Sequence, residues 1–369
     1  MELANQFTNS ATAFSEFQVF GPPIDYDIVM AQIKQDYDTY QHFLSFPKEH
    51  QEKIIQFMQG QRGLTISYDS FFKHIMNPEI HPERLEDFLS TILNERVQIK
   101  AILPREGNRM VDSGSLVIMD IIVELSDGSI IDVEMQKIGY AFPGERSSCY
   151  VADCIMRQYN RIRTMQKEAN RTFSYQDMKP VFLIILMEKS SKEFTAVSPH
   201  YIHKECVSYD SGATLKSLSQ VTYISLDTFH KVVHNIDTRM HAWLTFLSSD
   251  EPADIIRLLK NYPEFEPLYR DLANFRRNPK ELISMYSEAL AILDRNTEIY
   301  MLNELQKETE DLKKETDELR KGNDELIHKN NSLQDENASL QDENASLLDK
   351  NASLQAEIES LKAQLNALR

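Results

Sequence analysis

The residues best suited to chemistry lie in Met119–Lys137, MDIIVELSDGSIIDVEMQK. Asp120, Glu124, Asp132, Glu134 and Gln136 fall on one parity. Met119, Ile121, Val123, Leu125, Ile131, Val133 and Met135 fall on the other. A strand repeats every two residues, so this text predicts a β-hairpin with one apolar face and one face of carboxylates. The turn decides which residues meet. A two-residue Asp127-Gly128 turn would split the acids between the two faces. A three-residue loop Ser126-Asp127-Gly128, with Gly128 left-handed, pairs Leu125 with Ser129 and sets Asp120 opposite Glu134, about 5 Å away between Cβ atoms. Only this register keeps those seven apolar side chains on one face. Facing carboxylates, flanked by Asp132 and Gln136, repel unless neutralised, and a hard divalent cation such as Mg²⁺ takes one or two carboxylates together with waters and phosphate oxygens. A solvated acidic face would carry the same pattern.

The elements around the hairpin can be read from periodicity. Glu83–Asn94 has a helical apolar stripe of Leu85, Phe88, Leu89 and Ile92, and a short strand spans Gln98–Leu103. After the hairpin, 144–170 reads as a helix. Val181–Met187 is an unbroken apolar run of the kind found in strands covered on both faces. Val221–Leu226 is a further strand. The order αβββαβ, with helices on a mixed sheet, predicts an α/β fold. Ile24–Phe43 and Pro47–Gln61 read as helices ahead of this unit, after a breaker at Gly21-Pro22-Pro23. From Asp227 the text turns helical again, with Trp243, Leu244, Phe246 and Leu247 as a core cluster.

Asp120, then Asp127-Gly128, then Glu134-Met135-Gln136 resemble the signature of the PD-(D/E)XK nuclease superfamily, within it the branch of recombination-promoting nucleases and transposases. Tyr68-Asp69-Ser70-Phe71-Phe72-Lys73 resembles that branch's opening segment, and Leu85–Leu93 its first helix. Arg146 and Tyr150 match an Arg-to-Tyr spacing, Pro180–Met187 the next strand and Met285–Asp294 the closing helix. The likeness runs from about Tyr68 to Leu302. It implies a restriction-endonuclease-like αβββαβ core with a mixed sheet and a helical C-terminal extension. It also implies hydrolysis of a DNA phosphodiester at Asp120, Glu134 and Gln136, with Mg²⁺ (or Mn²⁺ in its place) held by Asp120, Glu134 and the backbone carbonyl of Met135. Most of the superfamily has a lysine where this chain has Gln136, which can orient a water but carries no charge. The adjacent Lys137 points to the other face by alternation. From the next helix, Arg146 or Tyr150 could reach the phosphate instead.

The formal charge of −17 argues against a general nucleic-acid binder. Its distribution weakens that objection, because residues 301–369 hold 16 acids against 9 bases. The helix after the hairpin carries Arg157, Arg161, Arg163, Lys167 and Arg171, interleaved with Tyr159 and Tyr175. Arg157 and Arg161 lie one turn apart, as do Arg163 and Lys167. Such rows suit phosphate contact; a solvated helix face balancing nearby acids would look alike. Three cysteines, Cys149, Cys154 and Cys206, have no metal-ligand spacing and suggest free thiols in a reducing compartment. The N-terminal residues carry no signal-peptide pattern, and the longest apolar run is far too short to span a bilayer. These features predict a soluble cytoplasmic protein.

Leucine recurs every seven residues from Leu305 to Leu368, at the d positions of a heptad repeat. The a positions run Leu302, Thr309, Thr316, Asn323, Asn330, Asn337, Asn344, Asn351, Ile358 and Leu365. Leucine at d with asparagine at a favours a parallel, in-register dimer, because buried Asn side chains pair with each other. The expected organisation is an N-terminal helical extension (1–66), the nuclease-like core (67–226), a helical subdomain (227–301) and a parallel coiled coil (302–369). The functional expectation is a metal-dependent DNA endonuclease, homodimeric through Leu302–Leu368. A catalytically inactive nuclease fold serving as a dimeric DNA- or protein-binding scaffold is the second reading, prompted by Gln136 and the acidic balance. A zipper-type transcription factor is excluded, since the acidic residues before the zipper supply no basic region for the major groove.

Overall fold

A computed structural model describes residues 19–104, 120–137 and 143–367, with the side chains of 292–301, 303–304, 307 and 364–367 left aside. Met119, Leu368 and residues 1–18 of the expected N-terminal extension lie outside the described residues. The chain forms two compact units, residues 1–300 and residues 301–369.

The first unit is built on a six-stranded sheet in the order β1-β2-β3-β4-β6-β5. Its strands are β1 (Ile99–Ile102), β2 (Ile121–Leu125), β3 (Ile130–Gln136), β4 (Val181–Met187), β5 (Ile202–Lys204) and β6 (Ser219–Ser225). β1 pairs antiparallel with β2 and β2 with β3, while β3, β4 and β6 pair in parallel and β5 returns antiparallel on the edge. Parallel pairing of β3 with β4 needs a long crossover, supplied by a helix at Pro143–Glu168. Preceded by the helix Pro82–Leu93, these elements give the expected αβββαβ order in a mixed α/β sheet.

The sheet is covered on both faces. On one, Ile121, Val123, Ile131, Val133, Met135, Ile184 and Leu186 join a large core. That core also takes in the helices α1 (Tyr26–Lys34), α2 (Tyr37–Ser45), α3 (Lys48–Gln59), α4 (Asp69–Ile75) and α5 (Pro82–Leu93). On the other, Ile122, Ile130, Val181, Leu183 and Ile185 pack against Tyr150, Val151 and Cys154 of α6 (Pro143–Glu168). β4 contributes to both, which is why its sequence lacks alternation. Trp243, Leu244, Phe246 and Leu247 are buried in the larger core, as their clustering predicts. The expected continuous helix over 24–43 is two helices. Asp36 adopts an extended conformation and its side chain accepts from the Thr39 N–H at 2.8 Å, so the chain restarts as a new helix there.

After β4 come the short α7 (Lys192–Thr195), then α8 (Leu226–Val232), α9 (Arg239–Ser248), α10 (Pro252–Asn261) and α11 (Glu266–Asn274). The last helix, α12 (Pro279–Ala367), runs into the second unit, where the leucines of the heptad repeat are about half to two-thirds exposed. All three cysteines are free thiols. No helix among the described residues is long and apolar enough to cross a membrane.

Candidate active site

The site is assembled at the open end of the β2–β3 hairpin, and the turn sets its register. The Leu125 N–H donates to the Ser129 carbonyl at 2.8 Å, and the Gly128 N–H donates to Leu125 at 2.9 Å. Gly128 has φ +89°, a conformation costly for any residue with a Cβ. Val123 therefore pairs with Ile131, Ile122 with Asp132 and Ile121 with Val133. One step further, Asp120 faces Glu134: the Asp120 N–H donates to Glu134 Oε1 at 3.0 Å, and the Met135 N–H donates to Asp120 Oδ2 at 2.7 Å. This is the three-residue loop and the acid pairing that the apolar pattern predicts.

The surroundings differ from a simple two-faced hairpin. Every residue of β2 and β3 is buried, as is Asp120, and Tyr150, Val151 and Cys154 of α6 pack on Ile122 and Ile130 of the face that carries the acids. Alternation could not reveal this, since a helix laid over an acidic face leaves no mark in the hairpin's own pattern. Burial, followed by the charge of Asp69, pushes the Asp120 carboxyl up to about 7, against the pull of Lys73. Burial, followed by Asp120, raises Asp132 well above the carboxylate range, and burial with Asp120 and Asp132 does the same for Glu134.

Two residues of this cluster, Asp69 and Lys73, carry no role in the sequence reading. Both lie on α4, four residues apart and so on one face. Lys73 Nζ sits 2.7 Å from Asp69 Oδ1 and 2.9 Å from Asp120 Oδ1. Burial lowers the lysine's pKa, but the two carboxylates outweigh it and the net shift is upward. The signal was present as a charged pair at helical spacing within an otherwise aromatic segment; what it lacked was any indication that α4 ends beside the hairpin. Lys137, by contrast, lies on the far side as alternation predicts. Its ammonium bonds to Glu188 and to Ser67 Oγ and stands 3.7 Å from the centre of the Tyr68 ring.

The remaining expected residues fall into two groups. Arg146 donates to the Tyr150 hydroxyl at 2.8 Å; the Arg146 charge favours ionised Glu134, while burial, followed by Glu134, raises the Tyr150 phenol and keeps it neutral. Arg157 and Arg161 are drawn into internal bonds. Arg157 pairs with Asp153 at 2.5 Å and with the Pro104 carbonyl, and Arg161 pairs with Glu124. Gln136 is buried on the parity of Glu134, and its backbone carbonyl accepts from the Glu188 N–H at 2.8 Å. The Met135 side chain enters the main core, leaving only its carbonyl as a candidate ligand.

A hard cation suits this donor set, which is all oxygen. Both carboxylate oxygens of Asp132 lack a hydrogen-bond partner although the residue is fully buried, so the cluster holds more acceptor capacity than the protein satisfies. Among the described residues no three acidic, imidazole or thiol groups converge as a finished cage; Asp120 and Glu134 instead accept from backbone amides and Lys73.

An αβββαβ core on a mixed sheet is the architecture of the restriction-endonuclease-like fold. Residues 67–302 match the PD-(D/E)XK nuclease family transposases, and the chain belongs to that family. Nucleases of this class generally use divalent metal ions. No curated protein and no solved structure matches the chain.

Proposed function

We propose that the protein is a divalent-metal-dependent DNA endonuclease of the recombination-promoting type, working as a homodimer. The observation that carries the reading is the opposition of Asp120 and Glu134 across the hairpin, with Lys73 against Asp120. Asp120, Glu134 and the Met135 carbonyl would hold Mg²⁺ or Mn²⁺, which when bound lowers the pKa of a water and screens charge on the phosphate. The protein's own groups orient and balance. Lys73 supplies, from α4, a positive charge that Gln136 cannot, and it fixes the Asp120 carboxylate. Gln136 hydrogen-bonds a water without ionising. Arg146 and Tyr150, bonded to each other beside the acid cluster, would contact a phosphate oxygen, whereas Arg157 and Arg161 could do so only by exchanging Asp153 and Glu124 for it.

The test is plasmid cleavage by purified protein with Mg²⁺ or Mn²⁺, beside an Asp120→Ala/Glu134→Ala variant. Metal-dependent nicking or linearisation absent from the variant is expected; cleavage retained by the variant would exclude this site. The second reading, an inactive fold kept as a scaffold, is favoured by Gln136. Calorimetry showing no binding of either metal, with DNA binding intact, would select it.

The dimer rests on the exposed leucine stripe of the tail and on charge. In a parallel, in-register pair, position g of one helix faces e of the next heptad on its partner. Those positions bring Glu308 to Lys313, Glu315 to Arg320 and Glu357 to Lys362. A one-heptad slip keeps only Glu308–Arg320 and Glu315–Lys313 and sets Lys350 against Lys362. The Asn layers specify parallel orientation but tolerate such a slip, so these charges supply the register.

A further inference from the structure

The expected basic stripe on α6 divides in two. Up to Gln158 the helix is sewn to the sheet: Gln158 donates to the Gly128 carbonyl at 3.1 Å and accepts from the Lys179 N–H at 2.8 Å. Arg157 and Arg161 are spent on internal partners at this level. Beyond it no residue of α6 is buried, and Arg163, Lys167 and Arg171 have no carboxylate within 4 Å among the described residues. Arg157–Tyr175 holds five bases and one acid, Glu168, in a chain whose net charge is −17.

The same end carries a ladder of aromatic rings. Tyr159 and Phe173 meet edge-to-face at 5.0 Å, and Phe173 and Tyr175 at 5.2 Å. Tyr175 is 80 % exposed. The Arg163 guanidinium lies 5.9 Å from the centre of the Tyr159 ring. The turn bearing Tyr175 is held by a reciprocal cap between Ser174 and Asp177, and Gln166 of α6 reaches Asp177 at 3.4 Å. That cap also occupies Asp177. Tyr175 thus offers an exposed ring at the end of the ladder whose other end, Tyr159, lies under the Arg163 guanidinium, and a ring face next to cations suits a polyanion that carries bases.

We propose that this end of α6 is a second nucleic-acid site, a platform on which one unpaired DNA strand stacks its bases on Tyr175 and lays its phosphates along Arg163, Lys167 and Arg171. Base stacking on an exposed ring requires bases freed from a duplex, and stacking plus unpaired cations is the chemistry of sequence-tolerant single-strand binding. An acidic peptide would use the cations and leave the rings idle. Arg146, beside the acid cluster, and Arg163 are 17 positions apart on one helix, about 25 Å at the helical rise. The platform is therefore separate from the acid cluster and would hold a strand about seven base steps from it at the duplex rise. As a feature of a DNA-processing enzyme it rests on the nuclease reading; as a binding site it does not.

The experiment is fluorescence anisotropy of a labelled oligothymidylate of about 20 nucleotides with the full-length protein in EDTA, where metal-dependent cleavage plays no part. Tyr175→Ala should weaken binding about tenfold, within the range for loss of one stacked base. Arg163→Gln/Lys167→Gln/Arg171→Gln should flatten the slope of log affinity against log salt by about 2. Both variants should melt as the unaltered protein does. Asp120→Ala/Glu134→Ala should lose metal-dependent cleavage while Tyr175→Ala in its background still weakens strand binding about tenfold, so a failed nuclease and a failed platform give different results. The proposal is overturned if the unaltered protein does not bind the strand, if Tyr175→Ala binds it equally well, or if duplex of the same length or polyglutamate displaces it more effectively than unlabelled single strand.

Discussion

At the scale of single residues, the acid cluster is held together by few groups, and each has a distinct consequence when removed. Lys73 contacts both Asp69 and Asp120, so Lys73→Ala leaves the buried Asp120 and the partly buried Asp69 without their cation. Cleavage by this variant should fall by about 100-fold or more, the cost of losing one preorganised charged donor, with partial recovery in Lys73→Arg. Rates of plasmid nicking at saturating metal would check this. Asp132 behaves in the opposite sense. Its carboxylate is fully buried with neither oxygen hydrogen-bonded, and an amide there removes a desolvated acid. Asp132→Asn should raise stability in EDTA by on the order of 1 kcal/mol, read from urea denaturation. A site residue whose loss stabilises the fold is the signature of a group kept for chemistry. Asp120 and Glu134 were legible from spacing alone, because two strands of fixed parity leave few registers. Lys73 was not, because no local pattern joins α4 to the mouth of a hairpin some fifty residues later.

At the scale of elements, two turns test how the sequence shapes the site. Gly128 sits at φ +89°, and a Cβ there would meet Lys179 Cγ at an unremarkable 3.4 Å, so the cost of Gly128→Ala is conformational. It should destabilise by about 1–2 kcal/mol. If the register follows the turn, the variant should also lose cleavage beyond what its stability explains; equal loss of both in denaturation and nicking assays would assign the effect to folding alone. Asp36 begins α2. The Thr39 N–H, then the Thr39 side chain and Lys280, hold its carboxyl down at about 2 from an ordinary 3.8. A depressed acid stabilises the fold above its unfolded pKa and loses that contribution as pH falls through the folded one. Asp36→Ala should therefore lower Tm slightly at neutral pH, with the difference closing between about pH 4 and pH 2.

At the scale of the whole molecule, residues 1–300 and 301–369 are separate compact units, and the leucines of the second are exposed in a single chain. Light scattering should report a dimer for the full chain and a monomer for one ending at residue 301. Glu315→Lys should weaken the dimer by less than about 1 kcal/mol, as expected of an exposed pair, and adding Arg320→Glu should restore it. A dimer unaffected by either change would place the charges outside the interface. If the truncated chain cuts both strands of a plasmid as well as the full chain does, the tail has no part in pairing two active sites.

What the sequence determined by itself is whatever rests on short-range repetition: the hairpin register, the strand covered on both faces, the order αβββαβ and the heptad stripe. The covered strand shows as an unbroken apolar run and the others as a period of 2, 3.5 or 3.6 residues, and both kinds of pattern are local properties of the chain. Tertiary structure decided what lies over those faces. It put α6 across the face that carries the carboxylates, buried them and raised their pKa values, brought Lys73 to Asp120, and tied Arg157 and Arg161 to internal partners while leaving Arg163, Lys167 and Arg171 without a carboxylate among the described residues. Burial and pairing depend on which distant elements meet. Charge and spacing alone do not encode that, because the free energy of a buried charge is set by its neighbours in space.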